Sequence, residues 1–193
     1  MLVRAVVVAC LAGPWVAGAQ QPARECPTLT KLPAKTPDPG TVAYADRIVN
    51  RADSAIYAVR DVLRGGAPLI GMATRTPGDK AFMSAALDAE DAAKRVSRLQ
   101  ADLDIEPPPT RYTALHPHLL DALDTARRTV ATYGAAAEGC FERSLLQRQC
   151  ESDLTTATGL AGRAIALYDA ERFRVGCLMD AEGVSLRPRR EDP

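Results

Sequence analysis

Aromatic residues are scarce in this chain: three phenylalanines, five tyrosines and one tryptophan make up 5 % of 193 residues. Such a composition poorly serves a sheet, which favours β-branched and aromatic side chains. Closely packed helices can be built from small ones, and alanine is abundant here. Charge of one sign is not in excess either, with 24 basic and 24 acidic residues. Bulk electrostatic attraction to nucleic acid or to an anionic membrane is therefore not expected. The local excess of Arg187, Arg189 and Arg190 is partly cancelled by Glu191 and Asp192. No segment beyond the first 19 residues approaches the roughly 20 apolar residues a bilayer span requires.

Catalytic signatures are missing as well. The sequence has no G-x-S-x-G elbow, no glycine-rich phosphate loop, no C-x-x-C pair and no E-x-x-H. These absences remove the usual serine-hydrolase, nucleotide-binding, thiol-redox, covalent-haem and di-iron readings. A non-catalytic role is preferred, and no cofactor is expected.

What is present begins with MLVRAVVVACLAGPWVAGAQ. Arg4 supplies a positive start, residues 5–12 an apolar stretch, and Ala17-Gly18-Ala19 a small-residue cleavage site. Residues 1–19 are thus expected to be a signal peptide, and the mature chain an exported, soluble, periplasmic or extracellular protein with a net charge of about −1. Val7-Val8-Ala9-Cys10 loosely fits a lipid-attachment box, which keeps a lipoprotein anchored through Cys10 as the alternative.

Residues 20–40 hold five prolines and no apolar period, and are expected to form an extended arm. Asp38-Pro39 then offers a helix cap followed by a first-turn proline. Val42, Ala45, Val49, Ala52, Ile56, Val59 and Leu63 recur at alternating spacings of three and four, the mark of an amphipathic helix. Arg64-Gly65-Gly66 is the expected stop, and residues 67–75 an unusually apolar connector. Thr76-Pro77-Gly78-Asp79 opens a second helix whose stripe runs from Phe82 through Ala89 and Val96 to Leu103. Pro107-Pro108-Pro109 closes it. A third stripe runs from Leu119 to Cys140, and a fourth from Leu154 to Leu178, with Gly176 and Gly183 as places to fray or stop. Four such helices on short connectors predict an all-α, up-down-up-down bundle over residues 41–182, with a flexible tail at 183–193.

That topology selects a cysteine pairing. Cys26 and Cys177 fall at one pole, Cys140 and Cys150 at the other. The two remaining connectivities would cross about 30 Å of bundle, given the rise of helices of about 20 residues. A disulfide tolerates only about 7 Å between Cα atoms. The predicted bridges are Cys26–Cys177 and Cys140–Cys150, and the second requires the chain to reverse within FERSLLQRQ.

Polar candidates are few. Tyr133 and Tyr168 sit on the third and fourth stripes, where they could line a core cavity or serve as core residues with bonded hydroxyls. Glu171 falls in the fourth stripe, buried or paired at the rim with Arg172 or Arg174. His116 and His118, the only histidines, could bind metal with help from Met72, Met83 or Met179. Alternatively they mark a helix entry, with His118 facing water or a loop. The architecture resembles that of secreted plant inhibitors of invertase and pectin methylesterase, which also join a four-helix bundle to two disulfides. Their first bridge staples an N-terminal hairpin, however, and Cys26 has no nearby partner, so the likeness is one of architecture alone. The preferred function is an interaction or scaffold module at the cell envelope, with an unidentified protein partner. The alternative is a small-ligand or metal binder using the bundle core. Leu69, Ile70 and Met72 would favour the first reading if they formed an exposed patch.

Overall fold

A computed structural model of the chain describes residues 26, 37–73, 75–76, 78–142 and 147–186. The expected signal peptide, most of the expected arm and residues 187–193 lie outside that set. All regular structure among the described residues is helical.

The first rod is α1 (Pro39–Arg47), a π-helical turn (Ile48–Ala52) and α2 (Asp53–Ala73) in unbroken succession. Three further rods follow: α3 (Lys80–Asp104), α4 (His116–Glu142) and α5 (Gln147–Ala181). A 3-10 turn, Thr110–Tyr112, lies between α3 and α4. Each rod packs on its sequence neighbour, and α5 closes the ring against α2, giving the up-down-up-down bundle. Both disulfides pair as the pole geometry requires, with Cα separations of 5.5 Å for Cys26–Cys177 and 5.1 Å for Cys140–Cys150.

Local chemistry explains the ends. The Asp38 side chain accepts from the Thr41 N–H, and Pro39 occupies the first turn. At the far end, Gly183 takes a φ of +78°, Val184 N–H donates to the Met179 carbonyl and Gly183 N–H to that of Asp180. This double bond pattern leaves Glu182 as the C-cap of α5.

The second, third and fourth stripes fall on the core face, with Leu99 and Leu178 half-buried at its edge. The first is displaced. Val42 is 41 % exposed and Val49 half-buried, whereas Thr41, Tyr44, Ala45 and Ile48 are buried. This register puts the larger Tyr44 and Ile48 side chains inside. The wide π turn takes up an extra residue, so that Ala52, Ile56 and Val59 still face the bundle.

Two expected stops and one expected start are corrected. The helix does not end at Gly65-Gly66 but continues through Pro68 to Ala73. Burial of Leu69 and Ala73 favours the extra turns, while Pro68 lies on the exposed side, where its ring meets water rather than the core. The cap of α3 is Asp79 rather than Thr76, and Gly78 turns the chain before it at φ +83°. Nor does α5 fray at Gly176, because Val175, Cys177 and Met179 are all buried around it.

Candidate functional site

Four elements bring polar side chains to the pole where α1 begins. From α1 come Thr41, Tyr44 and Arg47; from the 3-10 turn, Arg111 and Tyr112; from the first position of α4, His116; and from the cap of α5, Glu182. The Tyr44 hydroxyl lies 2.8 Å from His116 Nδ1, and the Tyr44 ring packs 5.2 Å from that of Tyr112. Glu182 accepts from Thr41 Oγ1 at 2.9 Å, from the Tyr112 hydroxyl at 3.2 Å and from Arg111 at 2.5 Å. Arg47 lies over the Tyr44 ring and bridges to Glu106 at 2.6 Å.

The electrostatics follow from burial. Loss of water pushes the Tyr44 phenol up to about 12, against the pull of Arg47. Tyr112 is raised by burial and by the Glu182 charge. Burial holds His116 below the ordinary histidine value; Asp104 opposes that shift and Arg47 adds to it. For Glu182, burial raises the carboxyl, but the bonds from Arg111, Thr41 and Tyr112 outweigh it and leave the group lowered. The cluster therefore consists of a charged carboxylate, two protonated phenols and a neutral imidazole.

A second cluster stitches α2 to α5. Asp53 Oδ1 accepts from the Tyr168 hydroxyl at 2.7 Å and from Arg172 Nε at 2.6 Å, and Oδ2 accepts from the other arm of Arg172 at 2.8 Å. Arg60 and Asp169 pair at 2.6 Å between the same two helices. Tyr168 is thus core with its hydroxyl bonded. Glu171 is buried and accepts from Arg174 Nη1 at 3.0 Å. Tyr133 is fully buried on α4, and its hydroxyl has no partner among the described residues. The structure does not bring Tyr133, Tyr168 and Glu171 to one cavity.

The two histidines also part. His116 is 5 % exposed and faces Tyr44, whereas His118, two residues on, is exposed on another side of α4. Among the described residues, no three His, Cys, Asp or Glu side chains are arranged to hold a metal ion. The exposed patch that would have favoured the interaction reading is not formed: Leu69 is buried, and Ile70 and Met72 are half-buried against the core.

Two surface grooves flank α4. The groove toward α3 has a volume of about 450 Å³ and is lined by Leu87, Ala131, Gly134 and Ala135. The groove toward α5, about 360 Å³, is lined by Ala135, Gly139, the Cys140–Cys150 bridge and Leu160. Toward α3 the helices come close through small residues: a Cβ on Gly134 would already stand 3.0 Å from that of Ala89. Between α2 and α3 lies a more polar groove of about 740 Å³, with Gly66 in its wall.

No protein-family model, curated protein or solved structure matches this chain. Two closed disulfides fit a non-reducing compartment. No helix among the described residues is long and apolar enough to cross a membrane.

Sequence reasoning passed over Tyr44, Tyr112, Glu182 and Asp53, and offered Arg172 only as a rim partner of Glu171, whereas it bonds Asp53. The signal available was weak. Thr41, Tyr44, Ala45 and Ile48 form a rival stripe to the valine-based one, and Asp53 precedes Arg172 by 119 positions, too far for any local pattern.

Proposed function

We propose that this chain is an exported, non-catalytic helical module that presents its α3–α4–α5 face to a protein partner at the cell envelope. The observation that carries the reading is the junction of two grooves at Ala135. Leu87 and Leu160, 55 % and 37 % exposed, line the outer walls of those grooves on either side of α4. Alanine and glycine between them allow close approach of a partner backbone, and the leucines offer apolar surface to bury. The polar groups inside the bundle support the same reading, because Tyr168, Arg172 and Glu182 are engaged in fastening helices to each other.

The test is site-specific photo-crosslinking in the host, with the reactive residue at Ala135 and, as control, at Asp61 in the α2–α3 groove. One protein adduct of defined mass is expected at Ala135, lost when Leu87 and Leu160 are both changed to glutamate. Equal adducts at both sites would sink the reading.

One observation favours the alternative of a small-ligand binder. The Tyr133 hydroxyl, without a partner among the described residues, lies beneath Gly66, in the wall of the α2–α3 groove. A non-protein mass retained in the native state, and lost in Tyr133→Phe, would shift the proposal to that groove.

A further inference from the structure

His116 opens α4, and its ring is held between elements rather than within one. Nδ1 faces the Tyr44 hydroxyl at 2.8 Å, and Nε2 is buried with no partner among the described residues. Two proton arrangements are available to the pair. With Tyr44 donating to Nδ1, a single group, the Nε2 N–H, is left over. With Nδ1–H donating, both the Tyr44 hydroxyl hydrogen and the Nε2 lone pair are left over. The first arrangement leaves fewer buried polar groups unpaired and is the favoured one.

We propose that the Tyr44–His116 contact is an acid-released latch, which holds α1 against the bundle while the imidazole is neutral and loosens it when a proton is added. The added proton takes the Nδ1 lone pair, which is the acceptor of the Tyr44 hydrogen bond. The Tyr44 hydroxyl must then turn to accept from Nδ1–H, which leaves its own hydrogen and the Nε2 N–H both unpaired, and a cation occupies a site with little water. The surrounding charges do not relieve it fully. Arg47, from α1, repels the imidazolium, and the exposed Asp104 at the end of α3 attracts it. Tyr112, from the 3-10 turn, is neutral. Arg111 and Glu182 answer one another's charge, and His118 on α4 itself points elsewhere. Desolvation is the largest influence on the ring, so the proton is taken up more readily once α1 has moved away.

The fold makes such a movement local. At nine residues α1 is too short to be stable alone, so its helix depends on docking. The π turn Ile48–Ala52 separates it from α2, and the Cys26–Cys177 bridge ties the chain before it to α5. A loosened α1 therefore stays attached at both ends and can redock. Its release would uncover Tyr44 and Tyr112, both fully buried in the docked state.

Hydrogen exchange on the full oxidised chain tests this, at pH 7.5 and 5.5, with rates corrected for intrinsic chemistry. One pH unit below the ordinary histidine value of 6.5, linkage limits the gain in opening of residues 41–48 to about tenfold. A gain of more than about twofold, within that limit, is expected in α1, with α3 and the middle of α4 unchanged. In His116→Asn, whose side-chain oxygen can still accept from Tyr44 but cannot titrate, the gain is expected to fall below about twofold. An undiminished gain in the variant, or none in the parent chain, would overturn the latch. Should the variant misfold, NMR titration of the parent imidazole decides: a midpoint below 6.5 that moves the Tyr44 ring signals in step supports the latch. A midpoint at or above 6.5, or unmoved Tyr44 signals, overturns it.

Discussion

Gly66 and Tyr133 compete for the same space. A Cβ built on Gly66 would stand 1.7 Å from the Tyr133 hydroxyl oxygen and 2.6 Å from the ring carbon that bears it. The glycine is therefore needed for close approach of α2 and α4, although it lies inside a helix where alanine is ordinarily better by about 1 kcal/mol. Gly66→Ala is expected to destabilise by about 1–3 kcal/mol through overpacking. Tyr133→Phe, which removes a buried hydroxyl with no partner among the described residues, is expected to be neutral or stabilising. Urea unfolding of both variants checks the pair; a stabilised Gly66→Ala would show that this packing is wrong.

Asp53 is the joint between α2 and α5. Arg172→Met leaves its carboxylate largely buried with only the Tyr168 hydroxyl to bond, and is expected to cost about 3 kcal/mol. Tyr168→Phe removes one hydrogen bond and should cost about 1 kcal/mol. Arg60→Met, at the more exposed neighbouring pair, is expected to cost less than about 1 kcal/mol. Thermal unfolding of the three should rank them in that order.

The two disulfides close loops of very different length, with sequence separations of 151 and 10. Loop entropy assigns about 5 kcal/mol to the long bridge and about 3 kcal/mol to the short one. Replacing Cys26 and Cys177 together by serine is expected to lower the unfolding midpoint more than replacing Cys140 and Cys150. The reverse order would mean that the short bridge acts on the native state instead.

Glu182 gives the pole a second acid response, separable from that of His116. Its folded-state carboxyl is lowered, so the stability it contributes is present above the ordinary value of 4.5 and is lost as pH falls through the lowered one. Glu182→Gln should therefore be less stable than the parent at pH 7, with a flatter decline below pH 4.5. Unfolding curves between pH 3 and 7 (on the order of one unit apart) would show whether the two chains converge.

The second and third stripes were legible because they combine large apolar anchors with alanine in one register; the fourth was less clean, since Glu171 falls within it. Leu119, Leu123, Val130 and Tyr133 could face only inward. The first rod was harder. Val42 and Val49 suggest one register on hydrophobicity alone, but the volume of Tyr44 and Ile48 decides the packing, and a π turn has no clear sequence mark. Gly65-Gly66 was legible as glycine but not as contact, since the side chain that needs the space lies 67 positions away on α4. The disulfides were readable because pole geometry is coarse and leaves one pairing within reach. The polar clusters were not, because each joins residues from separate helices at single-ångström precision.

The most direct test of an exported, disulfide-closed module that works by binding protein is intact mass, native and denatured, on the chain purified from its own host without reductant. The expected denatured mass begins at Gln20 and is four hydrogens light, and the expected native species carries a second polypeptide. An uncleaved chain with free thiols, or a native species whose added mass is a small molecule or metal ion, would contradict it.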